Sequence, residues 1–203
     1  MIKTIIFDIG GVLVGYDWDA YLMKTNDNDR VKVDLLKDAL FKRGLWAETD
    51  RGVWSEEKLL SEFVKVHPDV EKEIHAFWNT AGGALWQYEW TKDWLTDLKT
   101  RGYRLLFLSN WSAHMYEQAG DKLDFLSMMD GGIFSYRVNL IKPDAAIYEA
   151  IIEKYELNPS ECIFLDDREE NCKAAIECGL KAQQVIKNES AVKLLEERLA
   201  ELE

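Results

Sequence analysis

The chain has 203 residues, of which 47% are hydrophobic and 31% charged, a balance that excludes a disordered protein. Its formal net charge is −12, which disfavours nucleic acids and anionic membrane surfaces as partners because both attract basic proteins. The N-terminus lacks a signal-peptide cleavage pattern, and no apolar run approaches the roughly 18–20 residues that span a bilayer. We therefore expect a cytoplasmic monomer or homodimer with room for one domain and a modest insertion.

The three cysteines, Cys162, Cys172 and Cys178, cannot form a fully paired set of disulfides. Cys172 and Cys178 fall on different faces of one predicted helix, which places them poorly for a shared metal. Reduced and mostly buried thiols are the simplest interpretation, and they agree with a cytoplasmic location.

The first predicted strand covers residues 3–8 and ends in Asp8, directly before a turn that contains Gly10 and Gly11. Its β-branched and aromatic residues form a nearly continuous apolar run. Such a run is typical of a parallel strand that is covered on both faces.

Residues 16–88 contain helical patterns and no convincing strand. The patterns cover residues 17–26, 31–43, 55–66 and 69–80. We interpret this block as a small helical domain, inserted after the first strand into a main domain made of residues 1–15 and 89–203.

Strands and helices alternate in the rest of the chain. The predicted strands are 103–110, 131–137, 161–167 and 181–186, and the predicted helices are 91–102, 112–119, 142–155, 168–179 and 189–202. This alternation predicts a doubly wound α/β fold with a parallel sheet. Sites in such folds form outside the carboxyl ends of the strands.

Polar residues at three predicted strand ends should therefore meet at one edge of the sheet. They are Asp8, the pair Ser109 and Asn110, and the pair Asp166 and Asp167. Neighbouring carboxylates stay ionised only when a positive group joins them, and Mg²⁺ is a hard cation that binds carboxylate, water and phosphate oxygens. The hydroxyl, amide and backbone N–H groups of the second pair suit the oxygens of a phosphate.

Lys142, before a predicted helix, adds a point charge that suits a phosphoryl group in transit. Four segments, in order, then resemble the motifs of the haloacid dehalogenase superfamily: FDIGGVL (7–13), FLSN (107–110), Lys142-Pro143 and FLDDREEN (164–171). The resemblance covers the whole chain. Within the superfamily, the chain looks most like small bacterial phosphatases, which include an α-D-glucose-1-phosphate phosphatase.

The resemblance implies a Rossmann-like core, with residues 16–88 as a helical cap, and a nucleophilic role for Asp8. Asp8 would attack phosphorus and form an aspartyl-phosphate that water then hydrolyses. Mg²⁺ would bind Asp8, the backbone carbonyl of Gly10 and Asp167, with Asp166 beside it. Whether Asp166 or Asp167 is the direct ligand stays open, although the family's Gly-Asp form of the motif favours Asp167.

The resemblance also implies roles for the residues around this centre. Ser109 and the backbone of Asn110 would hold the phosphoryl oxygens. Lys142 would neutralise the charge on Asp8 and on the phosphate, and Asn171 would support the metal shell.

Gly10 departs from the family pattern, because most phosphatases of the superfamily carry Asp at this position. That Asp protonates the leaving group and later activates water, and general acid–base help is worth about 10²–10⁴-fold. One explanation is a leaving group that departs easily, as in an anomeric sugar phosphate or an acyl phosphate. A second is another acid, with Asp17 and Asp19 within loop reach. A third is a weak or inactive phosphate-binding protein.

We expect a Mg²⁺-dependent phosphatase that hydrolyses a small phosphorylated metabolite, most simply a sugar phosphate. A metal-independent 2-haloacid dehalogenase is the enzymatic alternative, but paired Asp166 and Asp167 would be an odd feature of a metal-free site. Trp18 and Trp46 are candidates to stack on a sugar ring, although helix packing is their simpler role. Packing is likewise the simpler role of His114.

Overall fold

The computed structural model describes residues 1–186 and 190–202, and these contain seven strands. The strands are β1 (Thr4–Phe7), β2 (Val14–Tyr16), β3 (Leu85–Gln87), β4 (Arg104–Ser109), β5 (Gly131–Phe134), β6 (Cys162–Asp166) and β7 (Lys181–Gln184). Five of them form a parallel sheet in the order β5-β4-β1-β6-β7. The other two, β2 and β3, form an antiparallel pair.

Helices connect these strands and cover the sheet. They are α1 (Trp18–Thr25), α2 (Arg30–Lys37), α3 (Leu45–Arg51), α4 (Glu56–Val66), α5 (Glu71–Thr80), α6 (Thr91–Thr100), α7 (Ala113–Ala119), α8 (Ala145–Lys154), α9 (Glu169–Glu177) and α10 (Ala191–Leu202). The first five lie between β2 and β3, and the others alternate with the parallel strands. The predicted α/β fold with a helical insertion after the first strand is confirmed. Residue 189, where the last predicted helix begins, lies outside the described residues.

The central strand β1 is buried along its whole length, in agreement with its apolar sequence. Its alternate side chains enter two separate cores. Ile5 and Phe7 belong to one core, where the ring of Phe7 meets Trp94 of α6 edge-on at 5.2 Å. Ile6 belongs to the other core, together with Ile147 of α8. The sheet is therefore covered on both faces, as a doubly wound fold requires.

Parallel pairing aligns the end of β1 with the ends of its two neighbours. Phe7 lies opposite Phe107 of β4 and opposite Leu165 of β6. The backbone N–H of Asp8 continues this register by donating to the carbonyl of Leu165 at 2.7 Å. The residues that follow these three strands consequently share one edge of the sheet.

The inserted helices pack around a cluster of aromatic rings. Trp18 stacks on Phe41 with ring centroids 5.7 Å apart, and Trp46 lies 6.1 Å from Phe77 and 6.5 Å from Phe63. Helix packing thus accounts for much of the aromatic content of the insertion.

Among the residues described, none of the helices combines the length and the apolar character that a membrane span requires.

The structure corrects the expectation that residues 16–88 contain no strand. Leu85–Gln87 forms β3, and its partner β2 ends inside the same block at Tyr16. Strands of three residues are too short to show an alternating pattern. Helix α3 was also not predicted, and the predicted strand 131–137 ends at Phe134, after which the chain turns.

Candidate active site

Asp8 lies at the sheet edge with one carboxylate oxygen fixed and the other free. Its Oδ1 accepts hydrogen bonds from the Ser109 hydroxyl at 2.6 Å and from the Ile9 backbone N–H at 2.7 Å. The Lys142 ammonium lies 3.0 Å from the same oxygen. No described residue donates to Oδ2 of Asp8. The residue is buried, and this arrangement leaves a single oxygen without a hydrogen-bond donor among the described residues.

Lys142 is a buried cation between two carboxylates. Its Nζ lies 2.5 Å from Oδ2 of Asp166 and 3.0 Å from Oδ1 of Asp8. Burial lowers the pKa of Lys142, but these carboxylates more than offset that effect and hold the pKa above its usual value. Lys142 is therefore charged at neutral pH.

The side chain of Asn110 fixes the backbone of Lys142, which lies in the loop before α8. Its Oδ1 accepts from the Lys142 N–H at 2.8 Å, and its Nδ2 donates to the Lys142 carbonyl at 3.0 Å. This role of the Asn110 amide is additional to the backbone role that the family resemblance implies. It explains how a loop residue is held at the sheet edge.

Asp166 and Asp167 differ in how far their oxygens are already occupied. Asp166 is fully buried and accepts from Lys142, from the Arg168 N–H at 2.8 Å, and from Asn171 Nδ2 at 2.9 and 3.0 Å. The side chain of Asp167 is partly exposed and accepts no hydrogen bond from another described residue. Asp167 is therefore the better placed of the two to bind a cation directly.

The donor set fits a hard divalent cation. Oxygen atoms of Asp8, Asp166 and Asp167 all lie within 4.8 Å of one another. Carboxylate oxygens are ligands that Mg²⁺ prefers. The Oδ1 of Asn171 is buried and has no described hydrogen-bond donor, which suits a neighbour of a hydrated cation.

The charges of the site also favour a bound cation. Burial raises the pKa of Asp8 to about 7, against the opposing charge of Lys142. Burial and the neighbouring Asp166 raise the pKa of Asp167 to about 6. Three carboxyl groups beside one ammonium hold an excess of negative charge, and a cation would restore full ionisation.

A cavity of about 190 Å³ opens above these groups. Asp8 and Lys142 line it from the sheet edge, and Trp18, Trp46 and Asp50 line it from the inserted helices. The two tryptophans thus pack against other rings and also border the cavity.

Aromatic side chains surround the position where the family pattern has an acid. A Cβ atom added to Gly10 would lie 3.5 Å from the ring of Tyr16 and 4.0 Å from that of Trp111. The two acids that we considered as substitutes have structural partners. Asp17 accepts from the first turn of α1, and Asp19 pairs with basic residues of α2.

Several residues that line the cavity were not predicted from the sequence: Tyr16, Asp50, Trp111 and Arg168. Each stands in a turn or in a short element, where periodicity gives no signal. The FLDDREEN motif contains Arg168 and could have indicated it. His114 stacks on Trp78 with ring centroids 4.2 Å apart and lies 2.7 Å from its carbonyl, so it packs between helices.

The family described as haloacid dehalogenase-like hydrolase matches residues 2–179 of the chain. The chain belongs to this family of hydrolases. Its predicted membership of the haloacid dehalogenase superfamily is therefore confirmed.

Relatives of similar length are named as phosphatases. The D-ribitol-5-phosphate phosphatase of Bacteroides thetaiotaomicron is 26% identical over 205 residues, covering 91% of this chain and 92% of the relative. The sesquiterpene phosphatase astK of Aspergillus oryzae is 25% identical over 178 residues, covering 88% and 87%. The prediction of a phosphoric monoester hydrolase agrees with these names. By contrast, the chain spans only 19% of mouse acyl-CoA dehydrogenase family member 10, which it matches at 25% identity over 96% of its own length.

A solved structure from Bacteroides thetaiotaomicron shares the fold. This haloacid dehalogenase family enzyme, in complex with magnesium and inorganic phosphate, superimposes with a TM-score of 0.75 at 22% identity, covering 93% of this chain and 96% of that one. The similarity establishes the fold of the present chain.

Proposed function

We propose that the protein is a Mg²⁺-dependent phosphatase that hydrolyses a small phosphorylated metabolite, such as a sugar phosphate. The observation behind the proposal is that Asp8, which has one oxygen without a described donor, lines a cavity beside a buried ammonium and two further carboxylates. The names of the phosphatase relatives support the reaction class. The small cavity supports a small substrate.

In this reaction, Oδ2 of Asp8 attacks phosphorus while the bond to the leaving oxygen breaks, and an aspartyl-phosphate forms. Ser109 and the Ile9 N–H hold the other oxygen and so orient the attack. Lys142 neutralises charge on Asp8 and on the phosphoryl oxygens. Water then attacks phosphorus, and Asp8 is released.

Asp8, Asp167 and the carbonyl of Gly10 would hold Mg²⁺, with Asp166 and Asn171 supporting them. When bound, the ion neutralises charge on the phosphoryl oxygens. Asp166 contributes by fixing Lys142 rather than by facing the substrate, because its oxygens are already hydrogen-bonded.

We also propose that residues 16–88 act as the cap of this site and that residues 1–15 and 89–203 form the core. Cap and core side chains both line the cavity, which supports this division. A cap that covers the substrate would exclude water from the aspartyl-phosphate until hydrolysis.

A panel of phosphate esters, assayed with Mg²⁺ and with chelator, tests the proposal. We expect turnover of at least one ester, loss of turnover in chelator, and loss in the Asp8→Asn variant. Hydrolysis that survives either change would overturn the covalent metal mechanism. Binding of beryllofluoride without turnover of any ester would instead establish a phosphate-binding protein. Metal-independent release of halide from a 2-haloacid would establish a dehalogenase.

A further inference from the structure

We propose that Asp50, a residue of the helical insertion, is the general acid and base of the reaction and replaces the carboxylate missing at Gly10. This inference rests on the proposed function. Asp50 lies in the last turn of α3 and lines the same cavity as Asp8, Lys142 and Asp167. It is a cavity-lining carboxylate contributed by the described part of the insertion.

The carboxyl group of Asp50 has no structural task in the described residues. It forms no ion pair and accepts no side-chain or backbone hydrogen bond from them. Partly buried carboxylates normally have such partners, because removing an unpaired charge from water is costly. An unpartnered carboxyl that faces a reaction cavity is therefore a candidate for chemistry.

The main chain around Asp50 is fixed to the core, so the backbone that carries the carboxyl has a defined position. The Ser135 hydroxyl donates to the carbonyl of Asp50 at 2.6 Å, and Asn139 Nδ2 donates to the carbonyl of Arg51 at 2.9 Å. Ser135 also accepts from the Trp111 N–H at 2.9 Å, which connects the end of α3 to the chain that follows β4. These hydrogen bonds attach the proposed cap to the edge of the sheet at Asp50.

The electrostatic environment of Asp50 suits proton transfer near neutral pH. Burial and the charge of Asp8 raise the pKa of Asp50 to about 7, against the opposing effects of Lys142 and Arg168. An acid with a pKa near the working pH both donates and accepts protons readily.

Other candidates for the same task are less suitable. Burial raises the pKa of Tyr16, which lines the same cavity, to about 12, so this phenol is a poor base at neutral pH. Asp17 caps α1, and Asp19 is held by Arg30 and Lys37. Of Asp17, Asp19 and Asp50, only Asp50 lines this cavity and has a carboxyl without a partner in the described residues.

Asp50 would give up one proton in the first half of the reaction and take one back in the second. As the bond from Asp8 Oδ2 to phosphorus forms and the ester P–O bond breaks, the Asp50 carboxyl gives its proton to the leaving oxygen, which departs as an alcohol. The Asp50 carboxylate then takes a proton from water as that oxygen bonds to phosphorus and the Asp8–P bond breaks. Asp50 ends protonated, and the products are an alcohol and phosphate.

The test compares wild type with Asp50→Asn on aryl and alkyl phosphates of rising leaving-group pKa, in Mg²⁺. We use kcat/KM because it reports the steps up to departure of the leaving group. We expect Asp50→Asn to lose about 10²–10⁴-fold on alkyl phosphates and much less on p-nitrophenyl phosphate, whose leaving group needs little protonation. Asp17→Asn removes the same charge and keeps a good helix cap, so it should match wild type.

A second experiment measures the phosphorylated form of the enzyme. With p-nitrophenyl phosphate, Asp50→Asn should accumulate aspartyl-phosphate on Asp8, seen by mass spectrometry after rapid acid quench, since water activation is slowed. Asp50→Glu should restore part of the alkyl phosphatase activity. An equal loss on all leaving groups, or no added aspartyl-phosphate, would overturn the role of Asp50. Failure of wild type on every ester would instead overturn the proposed function.

Discussion

Lys142 is a buried ammonium whose removal would leave two carboxylates, Asp8 and Asp166, without their shared cation. We expect Lys142→Met to lower the free energy of unfolding of the metal-free protein by about 3–5 kcal/mol at pH 8, because uncompensated buried charge is costly. Urea denaturation measures this. Lys3→Met, which breaks the exposed pair with Glu161, is the matched control and should cost about 0–1 kcal/mol. Equal losses in the two variants would contradict this account of the cluster.

The raised pKa values of Asp8, about 7, and Asp167, about 6, predict pH-dependent Mg²⁺ binding. A protonated carboxyl has lost the charge that attracts the cation, so affinity should fall as pH falls through 7. We expect a decrease of about tenfold for each pH unit between 7 and 6, and of about a hundredfold for each unit below 6, where both carboxyls are protonated, measured by calorimetry. Asp8→Asn should flatten this dependence near pH 7. Affinity that is constant from pH 8 to pH 6 would argue against these carboxyls as ligands.

The convergence of Asp8, Ser109 and Asp167 was predictable because each lies at the carboxyl end of a strand, and parallel strands end at one edge. The choice between Asp166 and Asp167 was not settled by the sequence alone, because it depends on which oxygens Lys142 occupies. No pattern in the sequence indicated Asp50 as a site residue. Its approach to the sheet edge results from how α3 docks, which no local pattern encodes.

At the scale of elements, the end of α3 depends on a close approach to the core. Gly52 has a φ of +69°, and a Cβ there would lie 2.9 Å from Cβ of Tyr136 and 3.0 Å from its Cα. Gly44, at the start of the same helix, has a φ of +73° and nothing within 4 Å of such a Cβ. The two glycines share a left-handed backbone and differ only in their surroundings.

We expect Gly44→Ala to destabilise the protein by about 1–2 kcal/mol, the cost of a left-handed non-glycine residue. Gly52→Ala should cost about 1–3 kcal/mol more, because it also forces α3 away from Tyr136. Thermal unfolding compares the two, and kcat should fall only in Gly52→Ala. Indistinguishable variants would show that this contact does not hold the helix.

Elements with strong periodicity were predictable, and short ones were not. The strands β1, β4 and β6 lie within their predicted ranges because apolar runs of four to six residues are buried on both faces. The strands β2 and β3 have three residues each and depend on contact between distant parts of the chain. No window of sequence contains that information.

At the scale of the whole molecule, the net charge of −12 opposes the approach of an anionic substrate. We expect kcat/KM for p-nitrophenyl phosphate, at saturating Mg²⁺, to rise modestly as NaCl is increased from 10 to 150 mM (roughly the range over which screening shortens to about 8 Å). Steady-state assays at constant pH measure this. A fall with salt would show that local positive groups such as Lys142 and Arg168 dominate the approach.

The alternation of strands and helices was enough to predict the overall fold, since few arrangements satisfy parallel pairing with helical crossovers. The placement of the insertion over the site was available only from the family resemblance. Hydrophobic contacts between helices that are distant in the chain decide that placement, and such contacts produce no periodic pattern in the sequence.

Because β2 pairs with β3, a different segment could in principle replace the insertion without disturbing the parallel sheet. Gly15 lies opposite Trp86, so the chain leaves and re-enters the core at neighbouring points, and the register of β1 with β4 and β6 is independent of what lies between. Doubling the length of a loop closed in this way costs only about 0.6 kcal/mol. A different segment inserted at this point could therefore give the cavity a different lining while Asp8 stays in place.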